Sequence, residues 1–204
     1  MHKVHDLAQL TLRDYLTSLG SDEPAPGGGS AAALTGALGS ALAEMVSRIN
    51  AGRKKNARAP KESLEHAKGL EAIREKLLDL VTEDAQVFQK VSELWKSKSE
   101  GLEPALRGAA QVPLEVCRLT REALRFALAE AALTSSHLMS DLSEAGIMLQ
   151  GSFESGALNV EINLRAMNTD KAFIQETRGT LELWRKDVER TARELIGSFW
   201  KKSS

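Results

Sequence analysis

The sequence predicts an all-α fold, a single-domain bundle of about six helices spanning residues 1–204. Three observations carry that prediction. Aromatic residues make up only 4% of the chain, so the core has to be assembled from Leu, Ala, Val and Ile, whereas strands lean on aromatic and β-branched side chains. No segment alternates apolar and polar residues with period two, while several repeat apolar residues every three or four positions. The five prolines all fall in the first 113 residues, and beyond them the chain reads as helix punctuated by glycine. With no internal repeat and no long linker, one domain is expected.

The elements follow in order. Val4–Leu19 is the first helical segment; it carries acids and lacks the long apolar run of a secretory signal. The loop Pro24–Gly29 leads into Ser30–Ala51, with Ser30 placed to be its N-cap. Ala32, Ala33, Gly36, Ser40 and Ala43 give this helix a bare side, suited to close helix pairing within the bundle or across a homodimer. Its weakly polar run, Ser30 to Ala43, is 14 residues, too short to span a bilayer, so no membrane association is expected. Lys61–Lys96 is the clearest helix, with Leu70, Ile73, Leu77, Leu80, Val81, Phe88, Val91 and Trp95 on one apolar stripe. Glu103–Leu133 contains Pro113, which predicts a kink or a break. Ser140–Met167 and Thr169–Trp200 complete the set.

Composition narrows the function. The formal net charge is −1, which gives no electrostatic basis for nucleic-acid binding. Cys117 is the single cysteine, which rules out an internal disulfide and points to a reducing, cytoplasmic setting. His2, His5, His66 and His137 form no HExxH or similar pattern, so no metal is expected. No nucleophile elbow or Cys–His pair is present.

Several residues break the structural pattern. Asp84 projects from the apolar stripe, four residues after Leu80 and four before Phe88. A carboxylate there is either paired inside the bundle or raised in pKa by burial and fit for acid–base work. Asp141 repeats the anomaly among Leu138, Ala145 and Met148, with helix capping by Ser140–Asp141 as the alternative. Asn159 and Asn163 share a helix face among Val160, Ile162 and Leu164, either to bond across helices or to recognise a polar heterocycle. Gly27, Gly28 and Gly29 either form a sharp loop or let a ligand approach the open amides of a helix N-terminus. Arg48, Arg53, Lys54 and Lys55 sit at the end of the same helix, complementing its dipole or holding an anionic ligand tail.

Taken in order, PAPGGGSAAAL with ALGSALAEMV, GRKK, EDAQVF, VPLEV, SDLSEAG and NVEINLRAMNTDKAF resemble the cyclodeaminase/cyclohydrolase family, from the first helix to about Phe173. This family includes formiminotetrahydrofolate cyclodeaminase domains and bacterial methenyltetrahydrofolate cyclohydrolases. The resemblance implies a cyclodeaminase-like helical homodimer with a tetrahydrofolate derivative as substrate and no cofactor. It further implies a catalytic role for Asp84, which matches the acid of the family's DAxAF segment, and it matches Asp141 to the Asp of the SD motif. Gly27–Ser30, Arg53, Lys54, Asn159 and Asn163 fall on substrate-binding positions. The chain departs from the family at Asn56, at Thr134–Ser135 and at Trp95–Lys96–Ser97–Lys98. The expected reaction is hydrolysis of 5,10-methenyltetrahydrofolate, with cyclodeamination of 5-formiminotetrahydrofolate or a non-catalytic folate-binding dimer as alternatives.

Overall fold

The computed structural model describes residues 6–52, 59–97 and 101–202. Among these the chain forms six α-helices and no strand: α1 (Leu12–Leu19), α2 (Gly28–Ala51), α3 (Ala59–Ser97), α4 (Leu102–Ala131), α5 (Ser136–Ala166) and α6 (Lys171–Lys202). The all-α expectation holds. None of these helices is long and apolar enough to cross a membrane.

The first predicted helix is shorter than expected. A 3-10 turn at Leu7–Gln9 precedes α1, and the chain restarts at Thr11, whose Oγ accepts from the Asp14 N–H at 3.1 Å. Thr11 also donates to the Asp14 carboxylate at 2.6 Å, so this local capping pair sets the helix start. The turn is tied to α3 by Leu7 N–H, which donates to Thr82 Oγ at 2.9 Å.

Helix α2 is the centre of the bundle, packed by α3, α4 and α5. The bare side accounts for this. A methyl group added at Gly36 would lie 2.7 Å from both Ser152 Oγ and Thr120 Cγ2, and one at Gly39 would lie 2.9 Å from Leu149 Cγ. Ala32, Ala33 and Ala43 are fully buried beside them. The small-residue face is therefore consumed inside the subunit and is not available to a second copy. The opposite side of α2 carries Leu38, Met45 and Ile49, all exposed.

Leu70, Leu77, Leu119, Leu124, Met139, Leu142, Leu149, Phe153, Leu164 and Leu195 fill the core. Pro113 lies inside α4 without ending it. The predicted α3 stripe is buried from Leu70 to Val81 and then leaves the core: Phe88 and Trp95 are 45% and 55% exposed. Where α2, α3 and α4 converge at the far end, Glu130 is fully buried. It accepts from Asn50 and Ser63 at 2.7 Å each and meets His66 Nδ1 at 2.6 Å. Burial pushes this carboxyl up, but the bonds from His66, Asn50 and Ser63 outweigh it and hold the group below its ordinary value.

Candidate functional site

The α3 stripe leaves the core at Asp84 because α2 begins there. Gly27 occupies the N-cap position of α2 and supplies no side-chain cap. The cap comes from α3: Asp84 Oδ2 accepts from the Ser30 N–H at 2.8 Å. Ser30 is thus the third residue of the helix rather than its N-cap, and its hydroxyl donates to the Val81 carbonyl at 2.6 Å. These two bonds lock the start of α2 onto α3.

Gly29 is required by this contact. A Cβ there would fall 2.0 Å from Asp84 Oδ1 and 2.5 Å from its Cγ, inside the carboxylate itself. At Gly28 the corresponding atom would lie 3.5 Å from the Asn159 amide, an ordinary contact that would cover that amide. None of the described glycines has a left-handed backbone, so the triplet serves close approach. The N–H groups of Gly28 and Gly29 lack intrahelical acceptors by position and find none among the described residues.

Burial raises the Asp84 pKa above its ordinary value, and the hydrogen bond from the Ser30 amide only partly offsets this. Tyr15 backs the same point. Its buried hydroxyl reaches toward Ser30 without closing a hydrogen bond, and burial, assisted by the Asp84 charge, raises the phenol too. No periodicity singles out Tyr15; only the folded contact does.

A cavity of about 710 Å³ opens in front of Asp84. Gly27, Gly28 and Gly29 form one wall, and Val87, Phe88, Val91 and Trp95 of α3 form a second. Leu106 and Ala109 of α4 and Asn159, Ile162 and Asn163 of α5 form the third. Lys96 and Arg165 stand at its border as cations. Arg165 is bound to Glu161 at 2.8 Å, and Lys96 has no acid partner among the described residues. A second cavity of about 580 Å³ shares the Pro24–Ala25, Phe88 and Lys96 wall.

Both asparagines are anchored through nitrogen. Asn159 Nδ2 donates to the Ser155 carbonyl at 2.8 Å, and Asn163 Nδ2 donates to the carbonyls of Ala109 and Asn159 at 3.2 and 2.8 Å. The fold therefore gathers Asp84, Gly27–Gly29, Asn159 and Asn163 around one cavity, with Ser30 just behind. It does not bring Asp141 there. Helix α5 starts at Ser136 with Ser135 as N-cap, so Asp141 is neither its cap nor a lining residue. The 18 residues separating it from Asn159 along α5 correspond to about 27 Å. Arg53 and Lys54 lie outside the described residues, as does Asn56. Arg48 is engaged internally, with Glu44 at 2.7 Å and Glu71 at 3.0 Å. Sequence reasoning missed Lys96 and Arg165 as cavity cations.

A half-dry acid, a pair of open amides, anchored side-chain amides and an aromatic wall suit a flat, polar heterocycle that exchanges protons during reaction. Known proteins bear on this arrangement. The chain is 31% identical over 182 residues to methenyltetrahydrofolate cyclohydrolase of Methylorubrum extorquens, covering 84% of this chain and 87% of that protein. It is 30% identical over 203 residues to the formimidoyltransferase-cyclodeaminase of Rattus norvegicus, covering 94% of this chain but only 37% of the rat protein. The crystal structure of formiminotetrahydrofolate cyclodeaminase from Thermotoga maritima superposes with a TM-score of 0.91 at 29% identity, covering 96% of this chain and 98% of that one. The formiminotransferase-cyclodeaminase profile matches residues 11–183, which takes in every wall of the cavity, and the chain belongs to that family.

Proposed function

We propose that this chain is a folate one-carbon enzyme that hydrolyses 5,10-methenyltetrahydrofolate to 10-formyltetrahydrofolate. The observation that carries the reading is Asp84: a partly desolvated carboxyl fixed by the α2 N-terminus in the wall of a cavity of about 710 Å³. The cyclohydrolase of Methylorubrum extorquens supports the choice of reaction, since the match covers most of both chains.

In this reading Asp84 takes a proton from the water that attacks the amidinium carbon. It then returns a proton to the ring nitrogen as the carbon–nitrogen bond opens. Water supplies the oxygen and two protons: one ends on the ring nitrogen, and the other leaves to solvent as the tetrahedral hydroxyl becomes the formyl carbonyl, so the scheme uses neither a metal nor a covalent nucleophile. The Gly28 and Gly29 amides hold an acceptor oxygen of the pterin or the attacking water. Asn159 and Asn163 grip the pterin edge, and Trp95 offers a face for the aryl ring. Lys96 and Arg165 meet the glutamate carboxylate, with Arg53 and Lys54 as further candidates. A cytoplasmic enzyme is the natural setting for a lone, buried Cys117.

The Thermotoga maritima structure favours a second reaction for the same groups, cyclodeamination of 5-formiminotetrahydrofolate. There Asp84 removes the N10 proton and delivers one to departing ammonia. Both folates are therefore assayed in parallel, by loss or gain of the methenyl absorbance, with wild type and Asp84→Asn. The expected loss in the variant is about 10²–10⁴-fold on the true substrate. Equal rates above background would remove Asp84 from the mechanism. Absence of turnover of either folate would reject the enzyme, and calorimetric titration with a folate analogue would then separate a binding dimer from a structural one.

A homodimer belongs to the same reading. The exposed face of α2, with Leu38, Met45 and Ile49 spaced by seven and four residues, is the contact that replaces the expected small-residue one. Sedimentation should give a dimer for the wild type and a monomer for Met45→Lys. A wild-type monomer at micromolar concentration would reject the dimer.

A further inference from the structure

Pro113 lies inside α4, four residues after Ala109. In an uninterrupted helix the N–H at 113 donates to the carbonyl at 109. Proline has no N–H, and its ring presses on that carbonyl. The Ala109 carbonyl thus loses its helical donor and accepts instead from Asn163 Nδ2 on α5 at 3.2 Å. The other N–H of the same amide donates to the Asn159 carbonyl at 2.8 Å. Both partners are carbonyls, which can only accept, so the amide fits one way round, nitrogen toward the protein. No described group donates to Asn163 Oδ1, and Asn163 and Ala109 line the Asp84 cavity.

We infer that Pro113 is a positioning residue: by deleting one helical hydrogen bond it creates the acceptor that clamps Asn163, whose Oδ1 is thereby presented to the cavity as a fixed acceptor for a ligand N–H. The ligand class is a heterocycle that turns N–H donors, a lactam N–H or an exocyclic amine, toward α5. This rests on the folate reading of the cavity, because a pterin carries both donors on one edge. It also accounts for a helix-breaking residue that neither ends α4 nor caps another element.

The test separates fold from function, since a proline in a helix interior ordinarily lowers stability. Pro113→Ala should melt at or above the wild-type temperature. It should bind 5-formyltetrahydrofolate about tenfold more weakly in calorimetry, the loss from one misplaced hydrogen bond. KM for the methenyl substrate should rise more than kcat falls. In an Asn163→Ala background, Pro113→Ala should change affinity no further. Wild-type affinity in Pro113→Ala, or losses that multiply in the double variant, would overturn the proposal. The clamp also has a readout that needs no ligand. The Asn163 side-chain NH₂ pair in a ¹⁵N spectrum should be protected from exchange in the wild type and lose that protection in Pro113→Ala. A rapidly exchanging pair in the wild type would overturn the clamp even if Pro113→Ala failed to fold. If the wild type binds no 5-formyltetrahydrofolate, the folate reading fails, and the NH₂ pair decides the clamp separately: protection lost in Pro113→Ala supports it, and protection unchanged overturns it.

Discussion

Asp84 has two jobs at one atom pair, and they can be separated. Its Oδ2 caps α2 through the Ser30 amide, and its half-buried carboxyl holds a proton to higher pH than an ordinary aspartate. Asp84→Asn keeps an acceptor oxygen, whereas Asp84→Ala removes it. The alanine variant should therefore be less stable than the asparagine variant by about 1 kcal/mol, read from denaturant midpoints. Both should lack the acid limb of the pH–rate profile, which in the wild type lies above the usual aspartate range. The linkage runs with the raised pKa. Just above the ordinary value, the folded state still holds the proton that the unfolded chain has released. Asp84 thus lowers stability as pH rises through that window, and the effect is complete above the folded pKa. Asp84 was legible in the sequence because it interrupts a periodic stripe. Its partner was not, because the Ser30 amide lies 54 residues away and no local pattern encodes that approach. Asp141 also interrupts an apolar stripe, but periodicity carries no information on distance along the helix, and Asp141 lies near the start of α5, away from the Asn159 wall of the cavity.

Among the helices, α2 shows what a glycine does when a neighbour fills its space. Gly36→Ala would force a methyl against Ser152 and Thr120, and overpacking of this kind costs about 1–3 kcal/mol. Gly108 in α4 is the control, with nothing within 4 Å of its absent Cβ. Gly108→Ala should stabilise by about 0.5–1 kcal/mol through helix propensity and backbone entropy. Thermal melts of the two variants should shift in opposite directions, and a shared direction would contradict the packing described for α2. The bare side of α2 was readable as a site of close approach, but sequence spacing does not say which neighbour comes close. The helix ends were less readable than the helices. Thr11 restarts the chain inside the first predicted segment, and Gly28 starts α2 with a cap borrowed from α3.

On the scale of the whole molecule, the last helix is tied to α4 by a charged cluster around Asp187. Asp187 accepts from Arg121 at 2.7 Å, Arg125 at 2.6 Å and Arg190 at 2.7 Å. Burial pushes this carboxyl up, but the bonds from Arg190, Arg121 and Arg125 prevail and hold its pKa at about 2. Relative to an ordinary aspartate, the depression stabilises the folded state by about 1 kcal/mol once solvent screening of the exposed Arg125 and Arg190 is allowed for. Because the folded pKa is depressed, that stability is present above the unfolded value and disappears as pH falls from about 4 to about 2. Asp187→Asn should unfold earlier in urea at neutral pH, and its gap from the wild type should close across that acid window. The all-α class could be read from the chain because spacing and composition alone determine it. The cavity could not, because four separate segments build it, and two of its cations, Lys96 and Arg165, look like ordinary surface charge in the sequence.

The carboxylate that fills the space above Gly29 has an evolutionary corollary. A descendant that abandoned its chemistry would still need an acceptor at position 84 to hold the first turn of α2, and a hole at position 29 to admit it. Gly29 facing an acceptor at position 84, aspartate or asparagine, is therefore the mark of shared architecture expected in silent copies. The groups free to drift once turnover ceases are cavity residues that support no helix end, the half-exposed Trp95 among them, and a decayed lineage would be recognised there first.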